Sequence, residues 1–351
     1  MLKKSLVRGV CVLMLLVPLA HLFAGGEKEA PASQTGTAAA PAQTYKLRLA
    51  TVVNRPHAWF DAGDYLAEEM RKRTNGAVEI TIFGGSQLGS DLSVFDDLRL
   101  GTIDMEMGGF TAIANFVPES AILGMPYFYA NMDQFRKVMV PGGEIDRQFK
   151  KIFEDKKLGV KLLALGGGGV RVLSNNQRDV YSPADLKGMK MRVPNSPDDV
   201  KLWGAMGAVV TSMPWAEIYS AVQAGVINAF ESTIASYSGS KLYEVAKHIS
   251  NTKHAIMPSW LGISEISWNK LPPQYQKDLL EVCEEVGRIF TDAGEKYDVE
   301  LLKEAEKYGV KVVEVDSAAF MKIAQPMQDE IAAKLKMQDM AALMRKLRDQ
   351  K

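Results

Sequence analysis

The chain has 351 residues, 47% of them hydrophobic, and its 42 basic side chains balance 42 acidic ones. That describes a folded chain of about two domains, and with the two signs interspersed it carries no electrostatic footprint for nucleic acid. Beyond the amino terminus no segment reaches the roughly 18 apolar residues that a membrane-spanning helix needs.

At the amino terminus, Lys3, Lys4 and Arg8 precede the apolar run VCVLMLLVPLAHLFA, which breaks at Gly25 and Gly26. This is the pattern of a secretory signal peptide, residues 1–24, with cleavage near Ala24. Cys11 lies inside the apolar run with no lipid-attachment signature, so a periplasmic chain without a lipid anchor is expected. Once exported, the chain keeps Cys283 as its only cysteine and forms no internal disulfide; its stability must rest on a large core. Residues 25–44, GGEKEAPASQTGTAAAPAQT, cannot bury enough apolar surface to order themselves and read as a flexible leader.

The fold is expected to begin at Tyr45. YKLRLATVV reads as a strand, DAGDYLAEEMRKRT as an amphipathic helix, AVEITIF as a strand, and DLSVFDDLRLG as a helix closed by Gly101. VKLLALG and MKMRVP continue as strands, with a helix through SPDDVKLWGAMG. After Pro258, SWLGISEISW reads as a strand, followed by helices from Pro272 to about Tyr308, a strand VKVVEV and a helical tail whose Met and Leu spacing suits core packing. Strand and helix alternation of this kind predicts an α/β fold. LRLGTIDMEM (98–107) and VQAGVINAFE (222–231) echo each other as helix, glycine, strand, which two similar lobes would produce, although any helix stopped by glycine looks alike.

Catalytic signatures are missing. After the leader the histidines are His57, His248 and His254, with no HExxH, no CxxC and no pair at metal spacing. No Gly-x-Ser-x-Gly occurs, and the run Gly166–Gly169 lacks the Lys-Ser/Thr of a phosphate loop; it reads as a strand crossing where the backbone needs room. Arg192, at the end of the apolar strand MKMRVP, is the residue that most needs a purpose.

The segment LKGMKMRVPNSPDDVKLWGAMGAVVTSMPWAEIYSAVQAGVINAFES resembles the substrate-binding proteins of TRAP (tripartite ATP-independent periplasmic) transporters. HAWF, TNGAVEITIFGGSQLG, RLGTIDM, LGMPYFY, GGVRVLSN and KLYEVAKHISNTKH extend the resemblance in family order over most of the chain. It implies a two-lobed, periplasmic-binding-protein-like α/β fold with mixed sheets, crossing hinge strands and a long hinge-spanning helix. The lobes are expected at 45–168 with 259–297, and 169–258 with 298–351.

The resemblance also implies site roles. The arginine of the K-x-R-V-P strand, Arg192, would hold the substrate carboxylate on its two-pronged guanidinium. Arg171 of GGVRVLSN would line the cleft and add positive potential, and Trp215 of MPWAEIY would pack against the ligand. His57, Asn228, Glu231, Ser232 and His254 complete the expected ligand-binding set. Ser232 stands where sialic acid-binding members have asparagine, Asn228 and Phe230 also depart from their pattern, and MEMGGFTAIAN lacks their Glu and Arg, so sialic acid is not expected.

What is left is a small organic acid: a C4-dicarboxylate, a 2-oxo or 2-hydroxy acid, or a sugar acid. No cofactor is expected, with a cation near Glu231 left open because oxo-acid-binding relatives use a carboxylate there. The expected partners are the ligand and the TRAP membrane permease subunits, the chain itself acting as a monomer and not as an enzyme. A periplasmic ligand-presenting sensor and a secreted enzyme acting on organic acids are the alternatives.

Overall fold

In the computed structural model, residues 43–350 are described; the expected signal peptide and all of the leader but its last two residues lie outside them. The strands are β1 (Tyr45–Ala50), β2 (Val78–Phe83), β3 (Met105–Gly109), β4 (Val160–Asn175), β5 (Lys190–Val193), β6 (Val209–Ser212), β7 (Ala229–Thr233), β8 (His248–Ser264) and β9 (Lys311–Glu314). The helices are α1 (Ala58–Arg73), α2 (Asp91–Leu100), α3 (Met132–Val138), α4 (Glu144–Lys156), α5 (Pro197–Ala205), α6 (Ile218–Gln223), α7 (Ile234–Gly239), α8 (Glu265–Trp268), α9 (Pro273–Lys307), α10 (Ser317–Lys334) and α11 (Gln338–Arg348).

One mixed sheet runs in the order β2-β1-β3-β8-β4-β7-β5-β6, with β9 beside β8. The two long strands are antiparallel and shared. The first part of β4 pairs with the last part of β8 (Val160 opposite Ser264), and its last part with the first part of β8 (Asn175 opposite His248). Beyond these, β3, β1 and β2 extend one half of the sheet, and β7, β5 and β6 the other. Two α/β lobes thus share one continuous sheet rather than owning separate ones. The echoed segments are the corresponding corners: β3 and β7 each lie parallel to one neighbour and antiparallel to a through-strand, after Gly101 (φ 71°) and Gly225 (φ 70°) in the left-handed region that glycine tolerates.

Two expected boundaries shift. VKLLALG and GGVRVLSN are one strand, and β8 begins at His248, ten residues ahead of Pro258. Pro258 has no N–H for a ladder, and it sits opposite Gly167, where the pairing register slips. At the other end the strand stops at Ser264, whose hydroxyl accepts from the Ile266 amide and opens the short α8, so EISW is helical. At the crossing the backbone does need room: a Cβ on Gly166 would lie 2.4 Å from the Gly287 carbonyl of α9, and one on Gly294 of α9 2.6 Å from the Gly169 amide.

The core follows the lobes. Leu49, Leu66, Leu261 and Phe290 pack one lobe between sheet, α1 and α9; Ile218, Phe230, Tyr237 and Leu301 pack the other. A third cluster runs from Phe95, Phe110 and Trp260 to Trp203, Phe320 and Met344, so the helical tail is core. Each such side chain contributes about 1.5–3 kcal/mol on burial, and Cys283 stays a buried free thiol.

Candidate functional site

Where the two lobes meet, a pocket of about 440 Å³, counted to its open mouth, is lined from one side by Val52, Trp59, Asp91 and Gly109 and from the other by Arg171, Arg192, Trp215 and Ser232. Arg192 is carried in by β5, whose Met191 and Val193 point to the core and fix the strand. Only 4% of Arg192 is exposed. Its Nε donates to the Met213 carbonyl at 2.8 Å, and its guanidinium lies 5.7 Å from the centre of the Trp215 ring. Among the described residues its two terminal nitrogens make no hydrogen bond, and no carboxylate comes within ion-pair distance. Burial pulls its pKa down to about 10, opposed by the charges of Glu231 and Asp91, so it remains a cation at neutral pH.

Arg171 is paired internally. Its Nη2 donates to Oε1 of Glu231 at 2.6 Å and its Nε to Oε2, while Nε2 of His254 lies 3.3 Å from the same carboxylate. Burial works against charge on Glu231, but the Arg171 cation and the His254 contact outweigh it and hold the carboxyl well below its usual range. The two arginines therefore differ: Arg171 is largely satisfied by the protein, and Arg192 is not.

Of the expected set, Arg192, Arg171, Trp215 and Ser232 line the pocket, and His57, Asn228, Glu231 and His254 do not. Asn228 is tied into the sheet just ahead of β7, its amide donating to the Lys190 carbonyl of β5. His254 is buried against Trp203 and bonded to Thr252. Trp215 is held by its own indole N–H, which donates to Ser240 at 3.1 Å. His57 caps α1, its Nδ1 accepting from the Trp59 amide, with Nε2 3.1 Å from the Ser236 hydroxyl of the other lobe.

Full burial pulls the His57 pKa down to about 3. The unfolded chain takes up that proton near pH 6.5 and the folded one does not, so stability falls as pH drops from about 6.5 toward 3, by up to about 1.4 kcal/mol per pH unit. We expect His57→Asn, which retains a capping side chain, to lose less melting temperature than the wild type over that range. Parallel loss in both would show that His57 is not the group responsible.

Sequence reading missed Asp91, which α2 presents in its first turn from the other lobe. Burial raises its pKa to about 6, against the opposing charge of Arg192. Its signal was the S-D start of the helix after SQLG, legible as a cap but not as a pocket wall.

Two α/β lobes on shared strands, with an unpaired guanidinium in the pocket between them, define a solute-binding protein. The model of bacterial extracellular solute-binding protein family 7 matches residues 49–335, and the chain belongs to that family, the TRAP transporter solute-binding proteins whose motifs it carries. A solute-binding protein of Roseobacter denitrificans is 33% identical over 82% of this chain and 87% of its own. The crystal structure of a TRAP periplasmic solute-binding protein from that organism with bound L-galactonate matches at TM-score 0.78 and 29% identity, over 88% of this chain and 99% of that one. A TRAP periplasmic solute-binding protein from Citrobacter koseri with bound D-glucuronate matches at TM-score 0.80 and 26% identity, over 87% and 99%. Among the described residues no helix is long and apolar enough to cross a membrane.

Proposed function

We propose that this chain, exported to the periplasm, captures one small organic acid between its lobes and delivers it to a TRAP membrane permease. The lobes are read as 45–168 with 259–297, and 169–258 with 298–351, turning about the glycine crossing of β4 and β8. The observation that carries the reading is Arg192: a nearly buried cation, steadied through Nε, with both terminal nitrogens left for a carboxylate. A planar two-donor fork matches two carboxylate oxygens and keeps its charge when desolvated.

Trp215 would flank the bound acid, Ser232 would offer its hydroxyl, and Arg171 would add its remaining Nη1 and positive potential. His57, Glu231 and His254 would act behind the wall by holding Trp59 and Arg171, and Asn228 by holding the start of β7 against β5. No cofactor enters this reading, since the Glu231 carboxylate is committed to Arg171 and His254. Walls drawn from both lobes make closure over the ligand part of binding.

A thermal-shift screen of organic acids tests it, because a ligand that binds only the folded chain raises the melting temperature by mass action. We expect one or more mono- or dicarboxylic acids to raise it and to contract the molecule in small-angle scattering. A screen in which only non-acidic solutes stabilise would overturn the proposal.

A further inference from the structure

Arg192 shares its pocket with an acidic wall. Asp91, the first residue of α2, lines the pocket from the other lobe, and among the described residues its carboxylate accepts no hydrogen bond from another residue. Glu106 of β3 stands behind it: Oδ1 of Asp91 and Oε1 of Glu106 lie 3.2 Å and 3.6 Å from the Cβ position that an alanine would have at Gly108. Glu106 is 2% exposed and its Oε2 has no hydrogen-bond partner. Burial, with the Asp91 charge beside it, holds the Glu106 carboxyl well above its usual range, so Glu106 keeps its proton at neutral pH.

The other elements packed on α2 add no charge at this end. The turn Phe110–Ile113 is uncharged and β8 brings Trp260, while Glu265 of α8 lies at the far end, where its neighbour Ile266 meets Gly101. On α2 itself the next charges are Asp96 and Asp97, more than a turn away. Asp91 therefore titrates between one cation and one neutral acid. Burial raises its pKa to about 6 and Arg192 opposes the rise, so at neutral pH the ligand-free pocket carries Arg192 and Asp91 with opposite charges. A captured carboxylate changes both influences. It neutralises the cation that favours the Asp91 anion, and it brings a second anion into the same desolvated space; each effect favours the protonated form.

We infer that Asp91 is a proton site of this pocket, and that the acid is captured together with a proton, which Asp91 takes from solvent as the carboxylate settles on Arg192. The inference rests on the capture of an acid by Arg192 and adds a proton to it as a second ligand. Asp91 then holds more protons in the complex than in the ligand-free chain. Affinity is greatest below about pH 6, where Asp91 is protonated in both, and falls as pH rises from there toward the pKa it has in the complex.

Titration calorimetry of the full mature chain tests this, with D-glucuronate, L-galactonate, pyruvate and succinate as probes, all largely ionised above about pH 6. The tightest binder is measured at about pH 6.5 and about pH 8, and at about pH 7 in two buffers of different ionisation heat, which counts the protons taken up. The expected result is an affinity about threefold to tenfold higher at the lower pH and an uptake of roughly half a proton at pH 7. Asp91→Asn, a mimic of the protonated form, should take up almost none, bind equally at both pH values, and at pH 8 bind at least as tightly as the wild type, which mere structural damage would not produce; its ligand-free melting curve checks the fold. An affinity in the wild type that ignores pH overturns the proton site. So does uptake that persists in Asp91→Asn, which would assign it to Asp199 or Asp298, whose pKa values burial also raises. Weaker binding by Asp91→Asn at pH 8 overturns it too, since Asp91 would then serve as an anion that accepts from the ligand. In each of these cases acid capture stands, whereas failure of all four probes to bind at either pH overturns capture and the proton site together.

Discussion

Arg192→Ala is expected to weaken binding of the best acid by roughly thirty to several thousand fold, since leaving one partner of a desolvated charge pair alone costs on the order of 2–5 kcal/mol. The ligand-free fold should hardly notice. Arg192 supports its surroundings through a single bond, from Nε to the Met213 carbonyl, worth about 1 kcal/mol. Arg192→Lys should fail nearly as badly, because an ammonium keeps the charge without the two-pronged geometry. Calorimetric titration beside ligand-free melting curves separates this from a structural role. A large loss of melting temperature in Arg192→Ala, rescued by Arg192→Lys, would mean that the guanidinium serves the fold instead.

Glu231→Gln is expected to do the opposite and strike stability. It leaves the Arg171 cation buried without its anion, and removing one member of a buried pair costs about 3–5 kcal/mol. For a chain of this size that is a fall in melting temperature on the order of 10 °C. Replacing both members, Arg171→Met with Glu231→Leu, should recover much of the loss because no uncompensated charge remains. A Glu231→Gln variant that melts with the wild type would show that water already reaches and screens the pair.

Much of this architecture was legible in the sequence because it rests on local rules. The glycine-closed α2, the start at Tyr45 and the strand MKMRVP follow from capping, composition and hydrophobic runs. The through-strand β8 was only half legible. HISNTKH is polar enough to read as loop, and its place between β4 and β9 comes from partners far away in the chain.

The site was legible in the same partial way. Arg192 stood out as a charge at the end of an apolar strand, and motif resemblance supplied Arg171, Trp215 and Ser232. Sequence could not distinguish the two arginines. Which of them is neutralised depends on Glu231 lying diagonally from Arg171, opposite Leu173 on the neighbouring strand, a placement set by the register of β4 on β7. Asp91 was invisible for a related reason: it reaches the pocket only when α2 packs over β3 and β8.

The crystal structure of the chain with the most stabilising acid from the thermal-shift screen tests the Arg192 assignment most directly. Both oxygens of the ligand carboxylate are expected within about 3 Å of the two terminal nitrogens of Arg192, with Arg171 still on Glu231. A carboxylate bound away from Arg192, whether on Arg171 after Glu231 has let go or outside the interlobe pocket altogether, would contradict it.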